Sequence, residues 1–454
     1  MTELNRAEFA QVFQDFLESM TAEAGGGTDR LSALGERIQD HLGVPIREVD
    51  PIAEEFPDQF TIDVDRAITT LIERHDGSRI GVFGPHRDHV GSFLDMLLGR
   101  MFRFEPGPVN HVRKPIGPDT DRRIVGFGIA LLRYDGVPLA ALQQATSPRH
   151  GRDQYRVEVL AADQDVADRF LTEVRELITT DSVFSGQVLS FHRDHFDRFG
   201  SGSPLTFLRR PAVPTDEVIL PAGVLDRIVG HVVGIGREAG PLAEAGHHLK
   251  RGVLLYGPPG TGKTHVVRHL LTITPGTTAV LLSGQTLEQI SVATRLARSS
   301  QPAIIVLEDC DLVAEHRGGD SNAALFETLE ALDGIAGDAD IAFVMTTNRP
   351  DLLERALVER PGRVDLAVKI DKPGTDDRLR LLRLYGARHD FSDAALAEAA
   401  ERTDGATASF AKELVRRAAL RAEGTVAQDQ HLTAALADLL SDTEKLTRTL
   451  LGHG

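Results

Sequence analysis

A glycine-rich segment in the second half of the chain constrains the fold more than any other feature. It reads Gly257-Pro258-Pro259-Gly260-Thr261-Gly262-Lys263-Thr264 and follows a short apolar run. Glycines in such a loop let backbone N–H groups turn inward around phosphates, and a helix beginning at its end adds a favourable dipole. Lys263 would reach the terminal phosphates and the Thr264 hydroxyl would bind Mg²⁺. The segment therefore predicts a strand, a phosphate-binding loop and a helix, in that order, and a chance glycine turn is the alternative.

An acidic cluster follows the next strongly apolar run. Residues Ile304–Leu307 end abruptly in Glu308-Asp309-Cys310-Asp311. The carboxyl ends of strands in an open parallel sheet face the ligand crevice. By position, Glu308 would hold Mg²⁺ together with Thr264, and Asp309 would activate the attacking water. Acids that only cap a buried strand are the alternative.

Two later segments add polar groups to the same edge. Asn348 follows the run 341–346, where its amide would position the water, although asparagine is also an ordinary turn residue. Further on, Arg360-Pro361-Gly362-Arg363 places two guanidinium groups on a turn. With Glu354, Glu359 and Asp365 close in sequence, this turn is alternatively a solvated ion-pair cluster.

The pattern of strands and helices gives the fold class. After residue 218, apolar strands alternate with helical stretches, which predicts a parallel sheet covered on both faces. The predicted strands are Gly252–Tyr256, Thr278–Ser283, Ala303–Leu307, Ile341–Thr346 and Asp365–Ile370. From Asp376 onward the pattern is helical only. We expect an α/β P-loop NTPase sheet with a C-terminal helical lid, preceded by an α+β domain.

A loop-like stretch rich in glycine and proline separates the two halves. Before it, Phe9–Leu17 and Gln164–Ile178 have helical spacing, and Arg79–Phe83 and Tyr155–Leu160 resemble strands. The predicted division is a partner-recognition domain, a linker, a nucleotide-binding domain and a helical lid, at residues 1–200, 201–218, 219–373 and 374–454.

Composition limits the environment and the partners. The net charge of −17 disfavours a general grip on nucleic acid, although a local basic stripe would escape this count. The single cysteine, Cys310, excludes a disulfide framework within one chain. No apolar run is long enough to span a bilayer, and the first ten residues do not resemble a signal peptide. We expect a cytoplasmic protein without a membrane segment.

The order of phosphate loop, acidic strand end, Thr-Thr-Asn and Arg-Pro-Gly-Arg resembles the AAA clade of the AAA+ ATPases, from about Leu225 to Ala422. The resemblance implies ATP and Mg²⁺ as ligands and a ring oligomer, usually a hexamer. By resemblance, Asn348 is the sensor asparagine, and Arg360 and Arg363 are arginine fingers that act on a neighbouring subunit's ATP. Residues 332–335 are similar to a segment that relays nucleotide state, and residues 405–412 to the start of the lid helix beside the adenine.

The inverted Glu308-Asp309 order, together with residues 332–334 and 360–365, is most similar to the branch of the mitochondrial Rieske-assembly ATPase and its bacterial relatives. The implied function is an ATP-driven protein remodeller whose N-terminal domain presents an unknown protein client. A nucleotide-regulated assembly switch or scaffold is the alternative. A nucleic-acid motor is the third hypothesis, which the acidic balance and the scarcity of aromatic residues disfavour.

Three weaker patterns remain in the sequence. His86-Arg87-Asp88-His89 and His192-Arg193-Asp194-His195 are conceivable metal sites, although solvated histidines explain them better. The connection Ser283–Pro302 contains no Phe, Tyr or Trp, and its apolar residues have helical spacing. Threading relatives carry an aromatic gripping loop there, so we expect this chain not to pull clients through a narrow pore.

Overall fold

The computed structural model describes residues 31–85, 87, 91–99, 102–147, 152–191, 205–311, 339–350 and 364–441. The chain divides into two compact units, and among the described residues the division falls between Val183 and Phe184. The predicted helix Phe9–Leu17 lies outside the described residues.

The first unit is built on an antiparallel sheet of seven strands with the order β1-β7-β6-β5-β2-β3, in which β4 pairs with β5. The strands are β1 (Ile52–Pro57), β2 (Ser78–Phe83), β3 (Glu105–Gly107), β4 (Asn110–Gly117), β5 (Thr120–Tyr134), β6 (Val137–Gln144) and β7 (Gln154–Ala161). The two strands predicted in this region are confirmed as β2 and β7.

Helices cover both faces of this sheet, and each face has its own apolar core. The helices are α1 (Ala33–Leu42), α2 (Thr61–Arg74), α3 (Phe93–Leu98) and α4 (Gln164–Thr180). Helices α2 and α4 contribute to one core, and α1 and α3 to the other. The predicted apolar face of α4 is confirmed, since Val166, Phe170 and Val174 are buried. Its N-cap is Asp163, whose side chain accepts from the Asp165 N–H.

The second unit contains a sheet with the order β14-β10-β13-β12-β11-β8-β9. Its strands are β8 (Val188–Phe191), β9 (Leu205–Leu208), β10 (Arg251–Tyr256), β11 (Thr278–Ser283), β12 (Ala303–Glu308), β13 (Ile341–Thr347) and β14 (Leu366–Lys369). All neighbours are parallel except the antiparallel pair β8 and β9. The five predicted strands are confirmed as β10 to β14, and they form the parallel sheet expected from the alternating pattern.

The position of β8 and β9 differs from the predicted division of the chain, which placed 1–200 in the first domain and 201–218 in a linker. Both strands belong to the sheet of the second unit, where Val188–Ser190 pairs with β11. Arg210 fixes this extension, because its guanidinium donates to the carbonyl oxygens of Gly186, Leu271, Thr274 and Thr277 at 2.7–3.1 Å. The two strands are only four residues long, so their pattern is too short to distinguish from loop sequence.

The remaining helices of the second unit cover the sheet and form the lid. They are α5 (Val224–Val229), α6 (Ile235–Arg237), α7 (Ala239–Glu244), α8 (Lys263–Ile273), α9 (Ile290–Ser299), α10 (Thr375–Gly386), α11 (Asp393–Arg402), α12 (Ala408–Arg421) and α13 (Asp429–Leu440). A π-helical turn, Gly230–Gly234, joins α5 to α6. Helices α10 to α13 share an apolar core that includes Leu382, Leu414 and Leu436, which confirms the helical C-terminal region.

Short 3-10 helices occur in both units, at Ile46–Glu48, Asp58–Phe60, Thr215–Glu217 and Gly284–Gln289. Within the described parts of the chain, no helix is both long and apolar enough to cross a membrane.

Candidate nucleotide site

The phosphate-binding loop, residues 257–264, joins the end of β10 to the start of α8, as the sequence predicts. Gly257 has a φ of 147°, and a Cβ there would lie 2.2 Å from the carbonyl oxygen of Ile370. Gly260 has a φ of 75°, and a Cβ there would lie 2.8 Å from Ser409 Oγ. Any other side chain would be strained at either position, so the glycines are required by the loop itself.

Lys263 begins α8, and its side chain points back into the loop. Its Nζ donates to the carbonyl oxygens of Gly257 at 2.8 Å and Pro258 at 2.9 Å. Burial lowers the pKa of Lys263, while the charges of Asp309 and Asp311 oppose this shift. Neutral carbonyl groups are weak partners for a buried cation, whereas a phosphate would supply a full negative charge. The lysine and the glycine cradle therefore fit the nucleotide that the sequence implies.

Thr264 and Glu308, the predicted metal pair, lie next to each other. The Thr264 side chain interacts with the Glu308 carboxylate at the end of β12. Burial raises the pKa of Glu308, and the interaction with Thr264 acts in the opposite direction. A hydroxyl and a carboxylate are hard oxygen donors, and Mg²⁺ usually takes one or two protein ligands besides water and substrate phosphates. The pair fits Mg²⁺, which when bound would neutralise charge on the phosphates.

Asp309 is held in an unusual backbone conformation beside Asn348. Its φ is 49°, in the left-handed region that non-glycine residues rarely adopt. The Asp309 N–H donates to Thr346 Oγ1 at 3.0 Å, and the Cys310 N–H donates to the Thr346 carbonyl oxygen, also at 3.0 Å. Asn348 Nδ2 donates to Asp309 Oδ1 at 3.4 Å. The structure thus brings the predicted base and the predicted sensor together, with Thr346 fixing the backbone of the base.

Asp311 has a specific role that sequence reasoning missed. Its Oδ1 accepts from the Thr347 hydroxyl at 2.9 Å and from the Asn348 N–H at 3.2 Å, and the residue is buried. The carboxylate therefore orients the turn that carries Asn348. A third acid after the strand and a Thr-Thr pair before the asparagine were the available signals, but neither indicates that they bind each other.

The lid contributes to the loop from its third helix. The Ser409 N–H donates to the Gly260 carbonyl oxygen at 3.1 Å, and the Thr407 side chain caps the start of α12. These residues lie in the segment 405–412 that the resemblance assigned to the lid helix beside the adenine. Movement of α12 would therefore be transmitted directly to the phosphate-binding loop.

Several predicted residues lie outside the described parts of the chain. They are Arg360, Arg363, the relay segment 332–335, the segment 192–195 and, in the segment 86–89, all residues except Arg87. Over the residues that the structure does describe, no group of three or more His, Cys, Asp or Glu side chains could hold a metal ion.

A parallel sheet with a glycine loop, a buried lysine, and acids and an asparagine at adjoining strand ends defines a P-loop nucleotide-binding domain. Residues 253–372 match the family described as "AAA: ATPase family associated with various cellular activities". This region of the chain is therefore similar to the AAA ATPase domain, a class that hydrolyses ATP.

Curated relatives agree with this assignment. The chain is 31% identical to the "ATP-dependent zinc metalloprotease FtsH" of Cutibacterium acnes, over 48% of this chain and 33% of the relative. It is 35% identical to the "ATPase family gene 2 protein" of Schizosaccharomyces pombe, over 38% of this chain and 23% of the relative. It is 28% identical to the "Proteasome-activating nucleotidase" of Pyrococcus horikoshii, over 46% of this chain and 57% of the relative. The matched regions thus span less than two thirds of these relatives' own length.

Proposed function

We propose that the protein is an ATP-driven protein-remodelling machine that works as a ring oligomer, with a client bound through its first unit. The observation that carries this proposal is the convergence of Lys263, Glu308, Asp309 and Asn348 on one edge of the sheet. Each group is buried or half-buried and held by hydrogen bonds, as transition-state stabilisation requires.

The residues divide the work between binding and hydrolysis. Lys263 and the backbone N–H groups of the loop hold the phosphates, and Thr264 with Glu308 holds Mg²⁺. Asp309 accepts a proton from the attacking water, and Asn348, 3.4 Å from Asp309, orients that water. Arg360 and Arg363 complete the site of a neighbouring subunit, which would make hydrolysis depend on assembly.

The remaining assignments rest on the sequence. A hexamer, a cytoplasmic location and recognition of the client by the first unit are expectations from the resemblance and the composition. The similarity to the branch of the Rieske-assembly ATPase rests on the Glu308-Asp309 inversion together with residues 332–334 and 360–365, and is proposed on that ground. FtsH is named as an ATP-dependent protease and the archaeal relative as an activator of the proteasome, so both names support action on proteins.

The test separates binding from hydrolysis. Lys263→Ala should weaken nucleotide affinity, whereas Asp309→Asn should retain affinity and assembly while turnover falls by about 10²–10⁴-fold. Fluorescent-nucleotide titration and steady-state phosphate release measure the two quantities. Near-normal turnover in Asp309→Asn would move the role of the base to another acid.

A nucleotide-regulated assembly switch is the rival proposal, since the same site can bind ATP without coupling it to work. The Asp309→Asn chain, which should retain ATP, serves as a trap for clients. Turnover of the native chain that rises when a trapped client is added supports remodelling. Turnover indifferent to every trapped protein, together with nucleotide-dependent assembly, favours the switch.

A further inference from the structure

The first unit carries a positively charged β-hairpin in which most of the basic side chains have no acidic partner among the described residues. We define the basic hairpin as residues 110–123, which include β4 and the start of β5. It contains four lysine or arginine residues and two aspartates, in a chain whose net charge is −17. The hairpin is therefore a basic region in an acidic chain, and the partners of each basic side chain decide whether its charge is neutralised.

Cross-strand register places like charges directly opposite each other. Arg113 pairs with Arg123, and the next position pairs Lys114 with Arg122. Like charges at opposed positions of an antiparallel pair destabilise the sheet. Two successive pairs of this kind oppose hairpin stability, so they need either a local counter-charge or a partner.

Among the described residues, an acidic partner is present for only one of these side chains, Lys114. Lys114 Nζ lies 3.3 Å from both carboxylate oxygens of Asp58. Arg113 and Arg123 are exposed, Arg122 is half-buried, and none of the three has a hydrogen bond or ion pair within the described structure. Asp121 lies on the hairpin opposite Pro115 and forms no ion pair with them there. Three guanidinium groups are thus available to an external anion.

The edge of β4 that faces away from β5 is also available for pairing with another strand. Among the described strands β4 pairs with β5 alone, so its other edge carries backbone N–H and C=O groups with no strand partner. Such an edge accepts an added strand from another polypeptide. Pro115 has no N–H, which limits this pairing to about residues 110–114.

We propose that the basic hairpin docks an acidic, extended polypeptide segment, whose backbone pairs with β4 and whose carboxylates contact Arg113 and Arg123. This surface deepens the proposed function, on which it rests, by giving the chemical class of the client. The open backbone edge favours a polypeptide over nucleic acid, and residues 110–123 contain no Phe, Tyr or Trp on which bases could stack.

The test is a binding measurement that needs no ATP. Fluorescence anisotropy follows a labelled peptide of alternating Glu and Thr, titrated with the full-length chain and with Arg113→Gln/Arg123→Gln. Affinity should fall about tenfold in this variant, because two exposed charge contacts are lost. Arg37→Gln/Arg103→Gln removes the same charge from exposed positions elsewhere in the first unit and should bind like the native chain.

Two further arms make the result specific. Arg113→Glu/Arg123→Glu should bind a peptide of alternating Lys and Thr, and N-methylation of alternate residues in the acidic peptide should weaken its binding at equal charge. Thermal unfolding controls for folding, and the Gln variant should be no less stable because the opposed charges are gone.

Equal affinity in the Gln variant and the native chain would overturn the proposal. Displacement of the peptide by oligothymidine that binds more tightly would assign the hairpin to nucleic acid instead. A changed sedimentation coefficient with unchanged peptide binding would assign it to a subunit interface. Because no arm measures hydrolysis, these outcomes are independent of whether the chain is an ATPase.

Discussion

Both units bury charged side chains, but they use them differently. In the first unit Asp63, Asp65 and Glu158 are each about 1–2% exposed, and each accepts from a backbone N–H group, those of Val183, Val125 and Phe93. Each of these acids fixes one segment of chain. In the second unit Arg251 and Arg378 are buried in the same structural way, but Lys263, Glu308, Asp309 and Asp311 converge on one sheet edge.

The partners of the charges differ as well. Asp63 receives two hydrogen bonds of 2.7 Å, from Val183 N–H and Ser182 Oγ, and needs nothing more. Among the described residues, Lys263 has only neutral carbonyl groups of its own loop at comparable distances. Buried charge alone therefore does not mark a functional site. A functional site is indicated when several buried charges converge and one of them has weaker partners within the protein than a ligand would supply.

The largest expected effect concerns the two arginines predicted to act between subunits. Replacing Arg360 or Arg363 by alanine should lower hydrolysis by about 10³–10⁵-fold with little loss of ATP affinity, because an arginine finger stabilises charge only in the transition state. Phosphate release and nucleotide titration measure the two quantities.

Subunit mixing sharpens this test. Mixed with a Lys263→Ala chain, the arginine variant should regain part of its activity, since each subunit supplies what the other lacks. Mixtures that co-assemble but stay inactive would mean that the arginines act within their own chain.

The second prediction concerns Asp63, the buried charged residue of the first unit that was compared with Lys263 above. Burial raises the pKa of Asp63 to about 6, despite hydrogen bonds from Val183 and Ser182. The folded protein thus binds the carboxyl proton of Asp63 more tightly than the unfolded chain does. The contribution of Asp63 to the free energy of unfolding therefore falls as the pH rises from about 4 to about 6, and it is constant above that range. Over that range the native chain should lose about 2–3 kcal/mol relative to Asp63→Asn.

Hydrogen exchange of the Val183 amide, followed across this pH range, measures the effect locally. Asp63→Ala is the matched control, because it leaves the Val183 N–H without an acceptor and should speed exchange at every pH. A native chain and an Asp63→Asn chain with parallel pH profiles would contradict the raised pKa.

The third prediction concerns Asp311 as a positioning residue. Asp311→Ala removes the acceptor of Thr347 and Asn348 and should lower hydrolysis about tenfold with ATP affinity nearly unchanged. Asp311→Asn keeps an oxygen at the same place and should retain more activity. Thr347→Ser, which keeps the hydroxyl, should behave like the native chain, whereas Thr347→Val should resemble Asp311→Ala. Equal loss in both Asp311 variants would mean that its charge matters, rather than its hydrogen bonds.

The smallest expected effect is the absence of threading. Leu287, Ile290, Ala293 and Ala297 are all buried, which confirms that the apolar residues between β11 and β12 form a packed face. A stable fluorescent domain fused to a trapped client's terminus should therefore keep its signal in the presence of ATP. Complete ATP-dependent loss of fluorescence, absent in Asp309→Asn, would show that clients are unfolded through a pore.

The two units also differ in how far the sequence predicted them. The phosphate-binding loop, the five parallel strands and the meeting of Glu308, Asp309 and Asn348 followed from spacing, because parallel strands present their carboxyl ends at one edge. In the first unit only β2, β7 and α4 were predicted among the described elements. Strands such as β4 carry few apolar residues, so their pattern resembles that of a polar loop.

By itself, the sequence determined the fold class of the second unit and which residues form its phosphate-binding loop, because those signals are contiguous residues with fixed local geometry. Only the tertiary structure decided that β8 and β9 extend that sheet, that Asp311 holds the Asn348 turn, and that Arg113 opposes Arg123. These contacts depend on strand order and register. A register shift of one residue changes every cross-strand pair while leaving the local sequence unchanged.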